Sequence, residues 1–495
     1  MGLDIDKIDF TDADHTAFRI RLTENLQALK LVLGRPGFGE GAASLGAELE
    51  IYIVDEHGDT LSINTQLLDL AQDPQLTVEL NRYNLEYNLS PALISDNAFF
   101  ATEQEILNKL AGLSKLAVQQ GGRIVPIGIL PTLVTQDVDR KSMTDRMRYQ
   151  ALMQQLSSRR RGRFNIDIDG RDPIQLEMDD VTLEGANTSF QVHYRVSPED
   201  FSDMFNAIQM ATPLALALSG NSPLLFGHSL WQETRIPLFK QSIDTRVAGT
   251  RHWHEPARVT FGNGWARAGA ANLFAEAVNL YEPILPVCGE EDALALATAG
   301  STPRLAELRL HQSSLWWWNR PVYDDIDGGH LRIEMRALAA GPSAIDMVAN
   351  AAFLIGLAEG LRPNIDALMS GLPFHLAAYN FYRSAQYGLS SRLVWPHANQ
   401  TGCKEYAVGE LLAQCLPIAA DGLASIGVSS AEVDRYMDVI THRLSTGQTG
   451  SVWQMQSFDQ LSQKMTRDAA LHKMLESYIA HSEANLPVSS WALEA

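Results

Sequence analysis

Apolar residues recur three and four positions apart at Phe18, Leu22, Leu26, Leu29 and Leu33, after Asp and Thr residues suited to capping and before Gly34. That spacing predicts an amphipathic helix lying on a core. The same period predicts a second helix through Ile106, Leu110, Leu113 and Leu116, stopped at Gly121-Gly122, and a third from Ser197-Pro198-Glu199 toward Gly220. From about residue 341 the pattern is mostly helical, through Val348, Phe353 to Leu357, and segments near 408–416 and 430–445. Strands come early and helices late, without regular alternation, which favours an α+β fold over a doubly wound parallel sheet. Arg159 to Arg163, Asn165 to Gly170 and an acidic run ending at Asp180 read as an exposed hairpin or flap.

Between the helices, four short runs alternate with period two. Successive strand side chains point to opposite faces, so residues two apart share one. Glu48, Glu50 and Tyr52 then oppose Leu49, Ile51 and Ile53, with the two carboxylates roughly 7 Å apart. Arg82, Asn84, Glu86 and Asn88 oppose Tyr83, Leu85, Tyr87 and Leu89. Asn187, Ser189, Gln191, His193 and Arg195 oppose Phe190, Val192, Tyr194 and Val196, and His330, Arg332, Glu334 and Arg336 oppose Leu331, Ile333, Met335 and Ala337. A merely wet face carries lysine and mixed small polar residues, but these four carry no lysine. They repeat Glu, Asn, Gln, His and Arg, donors and acceptors suited to fixed geometry, and so read as one site.

Clustered Glu48, Glu50, Glu86 and Glu334 would repel one another and have raised pKa values unless a cation compensates them. Magnesium, which takes oxygen ligands and keeps waters for substrate phosphates, fits best; calcium would need a dedicated loop and zinc more His or Cys. His193 is a candidate nitrogen ligand or phosphate contact. Arg336, two residues beyond Glu334, suits a transferring phosphoryl group. Neither a GxxxxGK[ST] loop nor a GxGxxG turn opening a helix is present, so phosphate would be held by metal and side chains.

Composition narrows the partners. The 495 residues carry 59 acidic and 39 basic side chains, a formal charge of −20 that repels nucleic acid and anionic membrane surfaces. No run approaches the ~20 apolar residues of a spanning helix, and the acidic N-terminus does not resemble a secretory leader, which points to the cytoplasm. Cys288, Cys403 and Cys415 are widely spaced and odd in number, so neither a disulfide framework nor a thiolate zinc site is expected, and they are read as small packing residues. The expected partners are small molecules, and a homo-oligomer is compatible with the sequence.

Seven segments in order, GAELEIYIVD (46–55), NLEYNLSP (84–91), GILPT (128–132), ANTSFQVHYRV (186–196), GNSPLLFG (220–227), ETRIPLFKQSIDTR (233–246) and RIEMRAL (332–338), resemble the glutamate-cysteine ligase-like carboxylate-amine ligases of the glutamine synthetase superfamily. The resemblance implies a curved antiparallel sheet forming a funnel flanked by helices, with ATP entering one end and the amino acid the other. It implies an ATP- and Mg2+-dependent ligase that activates the glutamate γ-carboxylate as an acyl phosphate and passes it to an amine such as cysteine. By the same resemblance Glu48, Glu50, Glu86, His193 and Glu334 are metal ligands, with Gln191 beside them as a substrate contact. Arg336 and Glu334 are the catalytic pair, and Arg235 and Arg246 grip the amino-acid carboxylate. The catalytic domain would span 1–345, with a helical part over 346–495 packed on it. Two other readings stay open: a guanidino phosphotransferase, which would need a reactive cysteine near the acceptor, and a silent binder of ATP or an amino acid. Residues 131–185, with Arg146 and Arg148, are read as a cover over the nucleotide end, and Trp316 to Trp318 as either a wall of the amine pocket or core.

Overall fold

The computed structural model describes residues 5–246, 256–396 and 402–493. Its centre is an eight-stranded antiparallel sheet built from β1 (Ser44–Asp55), β2 (Leu76–Val78), β3 (Asn84–Asn88), β4 (Ala92–Leu93), β5 (Gly122–Val125), β8 (Phe190–Val196), β9 (Asn319–Asp324) and β10 (His330–Met335). The order is β9-β10-β8-β1-β3-β2, with β4 and β5 also paired to the long β1. A separate hairpin, β6 (Phe164–Ile168) with β7 (Ile174–Met178), stands off this sheet. The sheet curls into a half-barrel, as the resemblance implies, and with the flanking helices makes the expected α+β fold.

The helices are α1 (Asp12–Leu33), α2 (Ala98–Gln119), α3 (Met147–Arg160), α4 (Phe201–Ser219), α5 (Ala344–Leu361), α6 (Val408–Ser425), α7 (Ser430–Thr446), α8 (Gly450–Ser462) and α9 (Arg467–Glu483), with shorter ones between. α1 starts in a capping box: the Thr11 hydroxyl accepts from the Asp14 amide at 3.2 Å, and the Thr11 amide donates to Asp14 Oδ2 at 2.8 Å. Such a cap stabilises by about 1 kcal/mol. Phe18, Leu22 and Leu29 are buried in the core, as their spacing predicts, with Leu26 and Leu33 partly buried beside them and Val32 buried in addition.

α5 departs from the expectation that no segment reaches spanning length. The stretch Ala344–Gly371 is long and apolar enough to cross a bilayer, and it is buried inside the protein. It is apolar on every side because it is the central core helix, enclosed by α4, α6 and α7. A Cβ at Gly422 would run into the Gly356 carbonyl, so glycine there permits close approach of α6 to α5. Tyr194, on the rear of β8, donates to Glu359 of α5 at 2.7 Å and ties sheet to helix. Asp346 of α5 accepts from Arg443 of α7 at 2.6 Å, both fully buried, and its other oxygen accepts from the Val488 amide at 2.9 Å. Arg443→Ala would leave that carboxylate without its cation and is expected to cost about 3–5 kcal/mol. Urea denaturation checks this, and a loss below about 1 kcal/mol would contradict an integral role for the C-terminal helices.

Three expectations change. The hairpin expected after the arginine run forms as β6 and β7, but Arg159 and Arg160 close α3 instead of joining it, and Arg163 in the following turn pairs with Asp179 at 2.7 Å and with Glu177 at 3.1 Å, so the basic and acidic runs neutralise each other. Tyr83 stacks on Tyr52, ring centroids 5.8 Å apart, instead of joining the apolar face of β3. The strand begins only at Asn84, after a turn in which the Asn84 amide donates to the Asn81 carbonyl. Of the cysteines only Cys415 packs in the core; Cys288 and Cys403 are exposed, because neither lies on a core-facing stripe.

Candidate active site

Strand register assembles the polar face. Arg320 lies opposite Glu334, and Glu334 opposite His193. His193 in turn faces Gly46, Gln191 faces Glu48, Glu50 faces Glu86, and Glu86 faces Thr77. Alternation carries these side chains to the same side of the sheet, where Tyr52, two residues beyond Glu50, stacks on Tyr83 within a buried apolar cluster that also holds Leu130. The face is therefore an enclosed cleft rather than a wet exterior.

Two ligand triads result. Glu48, His193 and Glu334 each offer a donor atom within 4.8 Å of the others, and so do Glu50, Glu79 and Glu86. Between them Gln191 bridges, donating to Glu50 Oε1 at 2.8 Å and accepting from Arg336, which also bonds Glu334. His193 Nε2 sits 3.1 Å from Glu48 Oε1, and Arg332 Nε donates to its Nδ1 at 3.2 Å. Ser189 holds Glu50 Oε2 through its amide at 2.6 Å and its hydroxyl at 3.0 Å. Asn319, which begins β9, is held by buried Gln209 and Thr212 of α4 at 2.7 and 3.0 Å, and this fixes the strand that presents Arg320. Arg320 Nε then donates to Glu334 Oε2 at 2.6 Å.

The two triads differ electrostatically. Burial would raise the Glu334 carboxyl, but Arg320 and Arg336 on its two oxygens hold it well below the usual range. Burial also opposes ionisation of Glu48, yet His193 beside it and Arg336 beyond turn the net shift downward. In the second triad burial wins. It raises Glu50 despite Arg336 and Arg235. Burial and the neighbouring charge of Glu50 push Glu79 up to about 8. Burial and the charges of Glu48 and Glu79 raise Glu86 well above the ordinary carboxyl range. Glu184, on the short turn before β8, is pushed up to about 8 by burial, Glu79 and Glu50. Carboxylates this close and this short of positive charge are a donor set for a hard dication.

Glu48, Glu50, Glu86, His193, Glu334, Gln191 and Arg336, all candidates from sequence, are brought together here. Arg235 and Arg246 are placed differently. Arg235 is buried, donates to the carbonyls of Ala337 at 3.2 Å and Arg336 at 3.4 Å, faces Glu233, and lies near enough for its charge to act on Glu50. Arg246 forms a fork with Asp244, two bonds of 2.8 Å, at the edge of the described chain. Glu79 and Glu184 went unread. Thr77 and Glu79 do alternate in the sequence, two residues apart, but β2 is three residues long and too short to announce itself. Glu184 sits in a 3-10 turn and has no periodic signal. Trp317 and Trp318 are core residues, and Trp316 packs its edge on Phe239.

A curled antiparallel sheet with carboxylate triads and an arginine on one face is the scaffold of a carboxylate-amine ligase. A search of curated protein sequences found no match. The profile of glutamate-cysteine ligase family 2 (GCS2) matches residues 44–474, and the chain belongs to that family. Among solved structures it is similar to a glutamate-cysteine ligase from Francisella tularensis in complex with AMP, at 12% identity and a TM-score of 0.53, over 92% of this chain and 91% of that one. A bifunctional glutathione synthetase from Pasteurella multocida aligns at 11% identity and a TM-score of 0.49, over 95% of this chain and 55% of that one. The first likeness supports the fold.

Proposed function

We propose that the chain joins the γ-carboxylate of glutamate to an amine at the expense of ATP, in the cytoplasm, through an acyl phosphate. The observation that carries this reading is the pair of triads on one sheet face with Arg336 and Gln191 between them. Glu48, His193 and Glu334 would hold one Mg2+, and Glu50, Glu79 and Glu86 another. When bound, the ions supply charge withdrawal from the phosphates, so that an anionic carboxylate can approach.

The side chains do the rest. Arg336, aimed between the triads, stabilises the phosphoryl group as the carboxylate oxygen attacks the γ-phosphorus and ADP leaves. Gln191 and Glu334 fix the Arg336 guanidinium, and Arg235 donates to its backbone carbonyl. The amine then attacks the acyl carbon, loses a proton, and inorganic phosphate departs. Tyr52, Tyr83 and their neighbours, the apolar cluster beside Glu50, keep water from the acyl phosphate. Arg235 and Arg246 remain the candidates for the amino-acid carboxylate, and residues 346–495 act as a helical buttress of the same domain.

The phosphotransferase alternative loses its thiol: Cys415 is buried on α6, behind the sheet, and Cys288 and Cys403 are exposed, so none belongs to the cleft residues. The test is an acceptor screen with Mg-ATP and glutamate, adding amino acids and amines singly while phosphate release and product mass are followed. Release tied to one acceptor, with a product lighter by one water than the two substrates combined, is the expected result. Phosphorylated acceptor without a condensed product would replace the ligase reading.

A further inference from the structure

The first turn of α3 packs on the corner that carries Glu79. Tyr149 donates its hydroxyl to the Val78 carbonyl at 2.9 Å, and Thr144, just before the helix, donates to the Glu79 carbonyl at 2.5 Å. Arg148 lies between these two anchors. Its one hydrogen bond is to a neutral group, the Ser313 hydroxyl, at 2.8 Å, and among the described residues no carboxylate pairs with it. It is only partly exposed, and burial lowers its pKa from the ordinary arginine value. Ser313 follows Gln312, whose carbonyl accepts from Arg320 at 3.0 Å. Two guanidiniums are thus tethered to consecutive residues of one turn. Arg320 has Glu334 as its counter-ion, whereas Arg148 makes no ion pair among the described residues: the Glu79 carboxyl nearby favours its charge without touching it, and Arg320 opposes it.

A partly buried guanidinium held by a neutral hydroxyl, beside a second guanidinium and with its nearest carboxyl, Glu79, in the proposed metal triad, is stabilised when a further anion arrives. The arginines elsewhere along the cleft already have partners: Arg336 and Arg320 on Glu334, and Arg332 on Asp324. We infer that Arg148 is a substrate-binding residue of this site, taking an oxyanion of a substrate: a phosphate oxygen of the nucleotide or a carboxylate oxygen of the amino acid. The inference rests on the ligase reading above. It places α3 as the element that brings a further positive charge to the Glu79 side of the site, in addition to Arg336. The guanidinium fork suits either source, because phosphate and carboxylate present the same paired oxygens.

The test compares wild type with Arg148→Ala and Arg148→Lys, with thermal melts as a check on folding. KM for ATP and for glutamate are measured separately from kcat, and Mg-ADP and AMP binding are followed by calorimetry. A charge-assisted hydrogen bond corresponds to about 10- to 100-fold in affinity. Arg148→Ala is expected to raise one KM by that factor with a smaller change in kcat. A rise in KM for ATP, with ADP binding weakened more than AMP binding, assigns the anion as a phosphate beyond the first. A rise in KM for glutamate, with nucleotide binding unchanged, assigns it as the carboxylate. Arg148→Lys, which keeps the charge and most of the packing, should move the same constant less, and it serves as the readout if the alanine variant does not fold. Both KM values and both nucleotide affinities within twofold of wild type would overturn the assignment while leaving the ligase reading standing. Wild type that binds neither nucleotide nor glutamate would remove that reading and this one together.

Discussion

Arg336→Ala should lower kcat by about 10^2- to 10^3-fold with little change in KM for ATP, the loss typical of removing one donor to developing charge in an enclosed site. The geometry explains why the effect falls on turnover. Arg336 is held by Gln191 and Glu334, and its side chain is almost withdrawn from solvent, so its direction is set before substrate arrives. Removing it does not strand Glu334, because Arg320 still pairs with the second carboxylate oxygen at 2.6 Å. The fold should therefore survive. Arg336→Lys keeps a charge but cannot bridge Gln191 and Glu334 with a planar fork, and should recover only part of the activity. Steady-state kinetics with unchanged thermal melts would support this account. Near-wild-type turnover in the alanine variant would remove Arg336 from the chemistry.

Chelation of divalent ions should abolish turnover and also change how stability depends on pH. In the metal-free chain the folded pKa of Glu79 and Glu184 is about 8, against an ordinary value of 4.5, and Glu50 and Glu86 are shifted the same way. The folded state then holds more protons than the unfolded one across that interval. Stability from these groups is complete below about pH 4.5 and is lost as pH rises toward 8. A dication between Glu50, Glu79 and Glu86 favours the ionised carboxylates and reverses the trend, because the folded chain no longer has to keep the protons. Melting temperatures from pH 5 to 9 should fall with EDTA and flatten or rise with millimolar Mg2+, with the two curves furthest apart near pH 8. Calorimetry in buffers of different ionisation enthalpy should show protons released when Mg2+ binds at pH 7. Identical melting curves with and without Mg2+ would deny these carboxylates a metal.

Much of this site was legible in the linear pattern because strand geometry is so regular. Glu48 with Glu50, Gln191 with His193, and Glu334 with Arg336 are each two residues apart, and a period of two leaves no choice of face. What the pattern could not supply is distance across strands. Residues 50 and 86 meet because β1 and β3 pair in one register, and a shift of one residue would have turned Glu86 into the core. Glu79 and Glu184 stayed hidden because a three-residue strand and a 3-10 turn carry no period. The long apolar run of α5 was ambiguous for another reason: a helix surrounded by other helices and one surrounded by lipid want the same side chains.

The sequence alone determined which faces are polar, which helices lie on a core, and that carboxylates and arginines share the polar faces. These are local properties, set by the backbone's own repeat. Tertiary structure alone decided that the carboxylates form two triads rather than one, that Arg235 donates to the Arg336 carbonyl while the Arg336 guanidinium bridges Gln191 and Glu334, and that α3 brings Arg148 to Ser313. Those outcomes depend on contacts between segments hundreds of residues apart, such as Arg148 with Ser313, and packing rather than periodicity sets them.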